Sequence, residues 1–287
     1  MWRIWFVLRK MYRALLKIKL RFYKKNKNRK SLDYFEIHIT DHCNLNCVCC
    51  CHFSPLAEKY FMDIGRFKND FERLSKLSCG KIRRIRLLGG EPLLHPDMPL
   101  FIEIARKNFP KSEIAVCTNG ILLTKMPEEF WKTCFDNNIE IDITYYPVSL
   151  DWTAINRLAV KHKITLKTNI DTSMSNFGNL QMDLSGSQPY KKNWYDCGHA
   201  NGCINLYEGK LFTCDVLPHS KHLSKYFNIP LAVTEKDFVD IYEAKSMDEI
   251  LQRLSAPTPF CRYCRPNEEK AVVWHTTEKK ITEWARE

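Results

Sequence analysis

The chain has 287 residues, 45% hydrophobic and 27% charged, a composition that suits a globular fold with a sizeable core. No stretch approaches 18 uncharged apolar residues, so no membrane-spanning helix is expected. The net charge of +11 is not spread evenly: residues 1–30 hold twelve Lys and Arg and no acid, while the rest carries 32 basic against 33 acidic residues.

That basic arm has helical periodicity. Ile4, Leu8, Met11, Leu15 and Phe22 share one face, and Arg3, Arg9, Lys10, Arg13, Lys17, Arg21 and Lys24 fall opposite. Trp2, Trp5, Tyr12 and Tyr23 add amphipathic rings, a pattern that suits an anionic membrane surface. A helix docked on the body or on a partner protein, and a nucleic-acid contact, stay open as alternatives. Arg3 and Arg9 interrupt the apolar run, which makes a poor signal peptide and points to a reducing, cytoplasmic setting with a peripheral contact at the inner membrane face.

From residue 31 the pattern becomes strand and helix in alternation. FEIHIT (35–40), KIRRIRLL (81–88), EIAVCT (113–118), IEIDITY (139–145) and ITLKTNI (164–170) read as strands. Asp63 caps a helix carrying Phe67, Phe71, Leu74 and Leu77, and Asp97 caps the next, to about Asn108; further helices fall near 127–137 and 151–162. Five such alternations imply a parallel sheet with crossover helices. Residues 171–196, rich in Ser, Asn, Gly and Gln, read as a connecting segment. Beyond it, Ser246 and Glu249 form a capping box before Ile250, Leu251 and Leu254, and Pro257 and Pro259 end that helix.

Thirteen cysteines are many for such a chain, and in a reducing setting clustered thiols bind metal or do redox chemistry. Cys43, Cys47 and Cys50 are spaced C-x3-C-x2-C directly after the first strand, where chemistry collects in open and barrel-like α/β sheets. Three close thiolates can hold three irons of a [4Fe–4S] cube and leave the fourth iron open. A register through Cys51, and zinc in place of iron, remain alternatives for this loop.

With the CNLNC context and the preceding strand, this segment resembles the radical S-adenosylmethionine (SAM) superfamily. In that family SAM chelates the open iron, and electron transfer from the reduced cluster breaks the S–C5′ bond to give a 5′-deoxyadenosyl radical that abstracts a substrate hydrogen. LLGGEP (87–92) matches the family's GGE motif: Gly89 and Gly90 would let the backbone approach SAM, and Glu91 or the backbone beside it would receive the methionine ammonium. CTNG (117–120) resembles the family's TNG turn and makes Asn119 a SAM contact. Tyr145 and Asn169 end the next two strands and are candidate pocket residues. One departure is that Cys49 stands where the family usually has an aromatic residue.

The later cysteines resemble the auxiliary-cluster extension called SPASM or, in short form, twitch. That resemblance implies a second [4Fe–4S] cluster on Cys197, Cys214, Cys261 and Cys264, with Gly209 and Cys214 as the G-x4-C element. Structural zinc on the same thiolates is the alternative. Cys203 is left over, as a substitute ligand, a hydrogen-atom donor or a buried thiol. Cys79, Cys117 and Cys134 read as small core residues, Cys117 lying nearest the SAM site. His42, His52 and His95 flank the motifs and read as packing or solvent-facing residues; His219 and His222 lack a third partner at metal spacing and read as surface residues.

The expected fold is an α/β partial (βα)6 TIM-like barrel over 31–185, an auxiliary-cluster region over 186–287 and the basic arm over 1–30. The expected function is a radical SAM enzyme of oxidoreductase or epimerase type. It would hold two [4Fe–4S] clusters and act on a carbohydrate or other small polar substrate, with flavodoxin or ferredoxin as electron donor and no nucleic-acid partner. A peptide-modifying maturase, and a non-catalytic zinc or iron–sulfur nucleic-acid-binding module, are the alternatives.

Overall fold

Alternation along the strands sorts polar from apolar side chains and so decides which face of the sheet meets helices. In the computed structural model, which describes residues 31–168, 176–179, 181–268 and 270–286, five strands alternate with four helices. These are β1 (Tyr34–Thr40), α1 (Ile64–Ser78), β2 (Arg84–Gly89), α2 (Met98–Asn108), β3 (Glu113–Thr118), α3 (Glu128–Asp136), β4 (Ile139–Ile143), α4 (Trp152–His162) and β5 (Leu166–Thr168). There follow β6 (Asn176–Asn179), β7 (Met182–Asp183), α5 (Tyr190–Asp196), β8 (Asn205–Tyr207), β9 (Lys210–Phe212), α6 (Val216–Phe227), β10 (Phe238–Asp240), α7 (Met247–Leu254), β11 (Lys270–Val273) and β12 (Ala285–Arg286). The basic arm and Asn169 lie outside the described residues. Among the described residues no helix is long and apolar enough to cross a membrane.

The main sheet runs β10-β9-β8-β1-β2-β3-β4-β5. From β8 to β5 all neighbours are parallel, so the six-stranded parallel partial barrel is present. Its sixth strand is not a continuation past β5: β8, from the cysteine-rich C-terminal region, lies on the free edge of β1, and β9 and β10 extend it antiparallel. Phe35, Ile37 and Ile39 of β1 share the helix-facing core with Ile85, Leu87, Ile114, Val116, Ile139 and Ile141. The intervening residues Glu36, His38, Arg86, Glu140 and Asp142 therefore fall on the concave face, which makes the lumen polar.

Local signals explain the helix starts. Asp63 accepts from the Arg66 N–H at 2.8 Å and Asp151 from the Ala154 N–H at 2.9 Å. Asp97 occupies the N-cap of α2 without a side-chain bond; Pro99 in the first turn sets the start instead. Ser246 accepts from Glu249 N, but the Glu249 carboxylate reaches Lys245 N rather than Ser246 N, so the expected capping box is offset by one residue.

Two expectations are corrected here. Residues 176–196 are not merely a connector: β6 pairs with β11, β7 pairs with β12, and α5 packs on the 259–263 turn. Cys79 is exposed, not a core thiol, because it caps α1 in a left-handed conformation (φ 50°) that turns it out of the core; Cys117 and Cys134 are buried as expected. The C-terminal segment closes over the first cysteine loop: Val48 N donates to His275 O, Thr277 N to Asn46 O, and Trp284 Nε1 to Cys50 O at 3.0 Å.

Candidate active site

The C-terminal ends of β1, β2, β3 and β4 surround a cavity of about 270 Å3 whose lining includes Cys43, Cys47, Cys50, Gly89, Gly90, Asn119 and Cys203. The β1 and β2 ends are welded together. A Cβ on Gly89 would meet Thr40 O at 2.4 Å, and one on Gly90 would meet His42 O at 2.2 Å. The absent side chains thus let β2 pass against the backbone that launches the cysteine loop, and Gly90 N and Glu91 N donate to Thr40 O and His42 O.

Glu91 is fully buried and does not line the cavity. Its carboxylate accepts from Thr118 Oγ1 (2.7 Å), Asn119 N (2.9 Å) and Leu93 N (3.2 Å), tying the GGEP turn to the TNG turn. Burial raises its pKa to about 7, partly offset by those donors. Asn119 in turn donates to Asn44 Oδ1 at 2.7 Å, with Cys43 Sγ 3.7 Å away, so the β3 turn braces the cysteine loop.

The donor set fits an iron–sulfur cube. Burial, joined by Glu91 and then the sulfurs of Cys50 and Cys47, pushes the Cys43 thiol up to about 12; burial likewise takes Cys47 to about 12. Buried, crowded sulfurs of this kind ionise when a cation arrives to hold them. Burial also raises Cys50, partly offset by the backbone N–H groups of Ser54, His52 and Phe53, which point at its sulfur. Cys51 is instead committed to Asp215 (Sγ to Oδ2 3.5 Å), and Cys49, in a left-handed conformation, lies outside the cavity lining. This geometry favours Cys50 over Cys51 as the third ligand.

Cys197, Cys214, Cys261 and Cys264 form a second group. Cys214 is raised far above the ordinary thiol range by burial and then by Asp215, Cys261, Cys264 and Cys197, which places the four thiols in one electrostatic neighbourhood. Asn193 on α5 holds the C-x2-C turn through Nδ2 bonds to Cys261 O (3.2 Å) and Cys264 O (2.5 Å), and accepts from Cys197 N (2.9 Å). Four thiols in one neighbourhood suit a tetrathiolate site, either a [4Fe–4S] cube or zinc.

Between the two groups lies a polar wall that the motifs did not reveal. Asp215, next to Cys214, accepts from His199 (3.1 Å) and pairs with His52 (3.3 Å). Burial opposes its charge, but these imidazoles outweigh burial and hold the carboxylate well below its ordinary range. Hydrogen bonds from Asp215 and then Cys203 raise His199 to about 12. Cys203 bonds His199 and lines the same cavity as Cys43, Cys47 and Cys50. Glu36 and Arg86 complete the floor: Glu36 accepts from Tyr34 Oη at 2.5 Å, and Arg86 bonds Cys117 Sγ (2.8 Å) and Asp142 (2.9 Å).

On the β4 rim the cavity is lined by Thr144 and Tyr146, not Tyr145. Strand alternation points residues 140, 142, 144 and 146 inward, a parity readable in the sequence. His95 packs against Phe101 as expected, and His42 bonds the Tyr60 backbone, whereas His52 lines the cavity. His219 and His222 are not surface residues: His219 is fully buried and His222 nearly so. The signal missed was the polar residue pattern of β1, which supplies their partners.

A parallel partial barrel with three converging thiols after its first strand defines an iron–sulfur protein whose chemistry sits at the strand ends. Residues 37–172 match the model of the radical SAM superfamily, so this part of the chain reads as a radical SAM domain. The cofactors of such a domain are a [4Fe–4S] cluster and SAM. The chain is 33% identical over 118 residues to GTP 3',8-cyclase of Clostridium botulinum, covering 41% of this chain and 37% of the relative. It is 29% identical over 164 residues to GTP 3',8-cyclase of Clostridium acetobutylicum, covering 56% and 44%. The chain thus spans less than half the length of these curated relatives. In fold it is similar to BtrN in complex with AdoMet and 2-DOIA (TM-score 0.52, 18% identity, 82% of this chain and 94% of that one). It is also similar to native anSMEcpe with bound AdoMet (TM-score 0.50, 14% identity, 80% and 82%).

Proposed function

We propose that the chain is a radical SAM epimerase or oxidoreductase of a small polar substrate, with a second, auxiliary [4Fe–4S] cluster. The observation that carries this reading is that Cys43, Cys47, Cys50 and Cys203 line one cavity. Cys43, Cys47 and Cys50 would hold the first cluster, the backbone of Gly89 and Gly90 with Asn119 would receive SAM, and Cys197, Cys214, Cys261 and Cys264 would hold the second. The cluster and SAM, when bound, supply hydrogen-atom abstraction from an unactivated C–H bond. Glu36, Arg86 and Asp215 orient hydroxyl or amino groups of a substrate, and the Trp284 segment shields the cysteine loop from water. Cys203 returns a hydrogen atom from its S–H to the substrate carbon. One electron from a low-potential flavodoxin or ferredoxin and one proton then restore the thiol. Without that return, the substrate radical would lose a proton to solvent and an electron to the auxiliary cluster, giving net oxidation instead.

The test is anaerobic incubation of the holoenzyme in D2O with SAM, dithionite and a panel of amino sugars, cyclitols and GTP. Formation of 5′-deoxyadenosine with one solvent deuterium in an inverted product supports epimerisation. An oxidised product reassigns Cys203, and intact SAM throughout removes the proposal. The pattern of residues 1–30 supports a peripheral contact with an anionic membrane, checked by liposome sedimentation with and without those residues.

A further inference from the structure

Behind the cavity wall, four residues from two distant segments meet. His38 lies on the lumen side of β1, and Asp41 follows the same strand. His219 and His222 are one turn apart on α6, on the same face of that helix. Ligand atoms of His38, Asp41 and His219 all lie within 4.8 Å of one another, and His222 Nε2 is 3.2 Å from Asp41 Oδ2. The exposures are 1% for His38, 2% for Asp41, 0% for His219 and 9% for His222.

Such burial normally demands full hydrogen bonding. Here both ring nitrogens of His38, both of His219, and Asp41 Oδ1 make no hydrogen bond among the described residues. The His38 and His219 rings are stacked with centroids 3.6 Å apart, a poor arrangement for two imidazoles without hydrogen-bond partners. Burial and the neighbouring cationic or imidazole groups hold both well below the usual histidine range, so each presents a lone pair rather than a charge. Asp41 already has an outer partner of the kind that orients a metal-bound carboxylate: Tyr207 Oη donates to its Oδ2 at 2.9 Å.

We propose that His38, Asp41, His219 and His222 form a zinc site, separate from both cysteine groups, that staples α6 to β1. Three imidazoles and one carboxylate supply four ligands of the N/O type zinc accepts in tetrahedral geometry, which leaves no open position and makes the site structural. Zinc is favoured over iron or manganese at nitrogen-rich sites of this kind. Lys221, 3.5 Å from Asp41 Oδ2 and half exposed, turns to solvent as the ion's charge arrives. His38 touches His52 edge-on at 4.5 Å, so the staple also fixes one ring of the cavity wall.

The probe is zinc itself. Holoenzyme with its clusters assembled is stripped with EDTA, dialysed against zinc and analysed for zinc and iron, with the metal's shell read by X-ray absorption at the zinc edge. The expected result is close to one zinc per chain in an all-N/O shell at about 2.0–2.1 Å. The zinc should be lost in His38→Ala and in His219→Ala, while iron per chain is unchanged. Tyr207→Phe should retain the fold and weaken zinc about 10- to 100-fold. Absence of zinc from the wild-type holoenzyme, or a shell containing sulfur at about 2.3 Å, overturns the proposal. So does zinc retained by both histidine variants. The wild-type measurements stand even where a variant does not fold.

Discussion

Replacing Gly90 with alanine should damage the junction on which the first cysteine loop rests. The added Cβ would lie 2.2 Å from His42 O, 2.4 Å from His42 C and 2.7 Å from Asp41 O, all within or beyond any tolerable contact and all backbone. No side-chain rotation relieves this, so the strand ends must part by about 1 Å. Parting them strains the Gly90 N to Thr40 O bond (2.8 Å) and the Glu91 N to His42 O bond (3.1 Å). Overpacking costs about 1–3 kcal/mol and each lost bond about 1 kcal/mol, a total of about 3–5 kcal/mol. At 2–4 °C per kcal/mol the thermal midpoint should fall by about 10 °C. Gly198→Ala is the control, since a Cβ there meets nothing within 4 Å. Anaerobic circular dichroism at 222 nm reads the midpoint, and iron analysis should show about four irons lost in Gly90→Ala and none in Gly198→Ala. Equal midpoints for the two variants would refute the steric reasoning. A lowered midpoint with full iron would refute the link between this junction and the cysteine loop.

Other outcomes follow from the same geometry. Cys43→Ala, Cys47→Ala and Cys50→Ala should each remove about four irons and abolish 5′-deoxyadenosine formation, whereas Cys264→Ala should remove about four irons and leave SAM cleavage measurable; equal loss of cleavage in all four would merge the two sites. Cys51→Ala should retain full iron, and a loss of four would move the third ligand to Cys51. The folded Glu91 pKa of about 7 lies above the ordinary carboxylate value, so the folded state binds the extra proton between about pH 4.5 and 7. Its contribution to stability is therefore present at low pH and lost as pH rises through 7. Glu91→Gln should flatten that part of the pH profile, at a cost of about 1–3 kcal/mol for stranding the Asn119 N–H. An unchanged slope in urea midpoints from pH 5 to 8 would contradict it.

The strand and helix alternation was legible because each βα unit announces itself locally, by β-branched alternation followed by helical periodicity, with Asp caps at α1 and α4. Non-local pairing was not: nothing in residues 205–207 says that they join β1 rather than extend past β5, because an edge is chosen by the whole sheet. Gly89 and Gly90 were readable as close-approach positions, but the approaching atoms are the backbone of Thr40 and His42. Tyr145 ends a strand pattern, but strand parity points to Thr144 and Tyr146, which line the cavity. His219 and His222 show no partner in the sequence because theirs, His38 and Asp41, lie on and just after the distant first strand. Asp215, His199 and Glu36 carry no motif, and only folding brings them to the cavity.

The central claim is that Cys43, Cys47 and Cys50 hold a cluster with one iron left for SAM. Electron paramagnetic resonance of the reduced Cys264→Ala variant, recorded anaerobically with and without SAM, tests it most directly. The expected result is a [4Fe–4S] signal whose g-values shift when SAM is added. A signal indifferent to SAM, or no cluster signal at all, would contradict the claim.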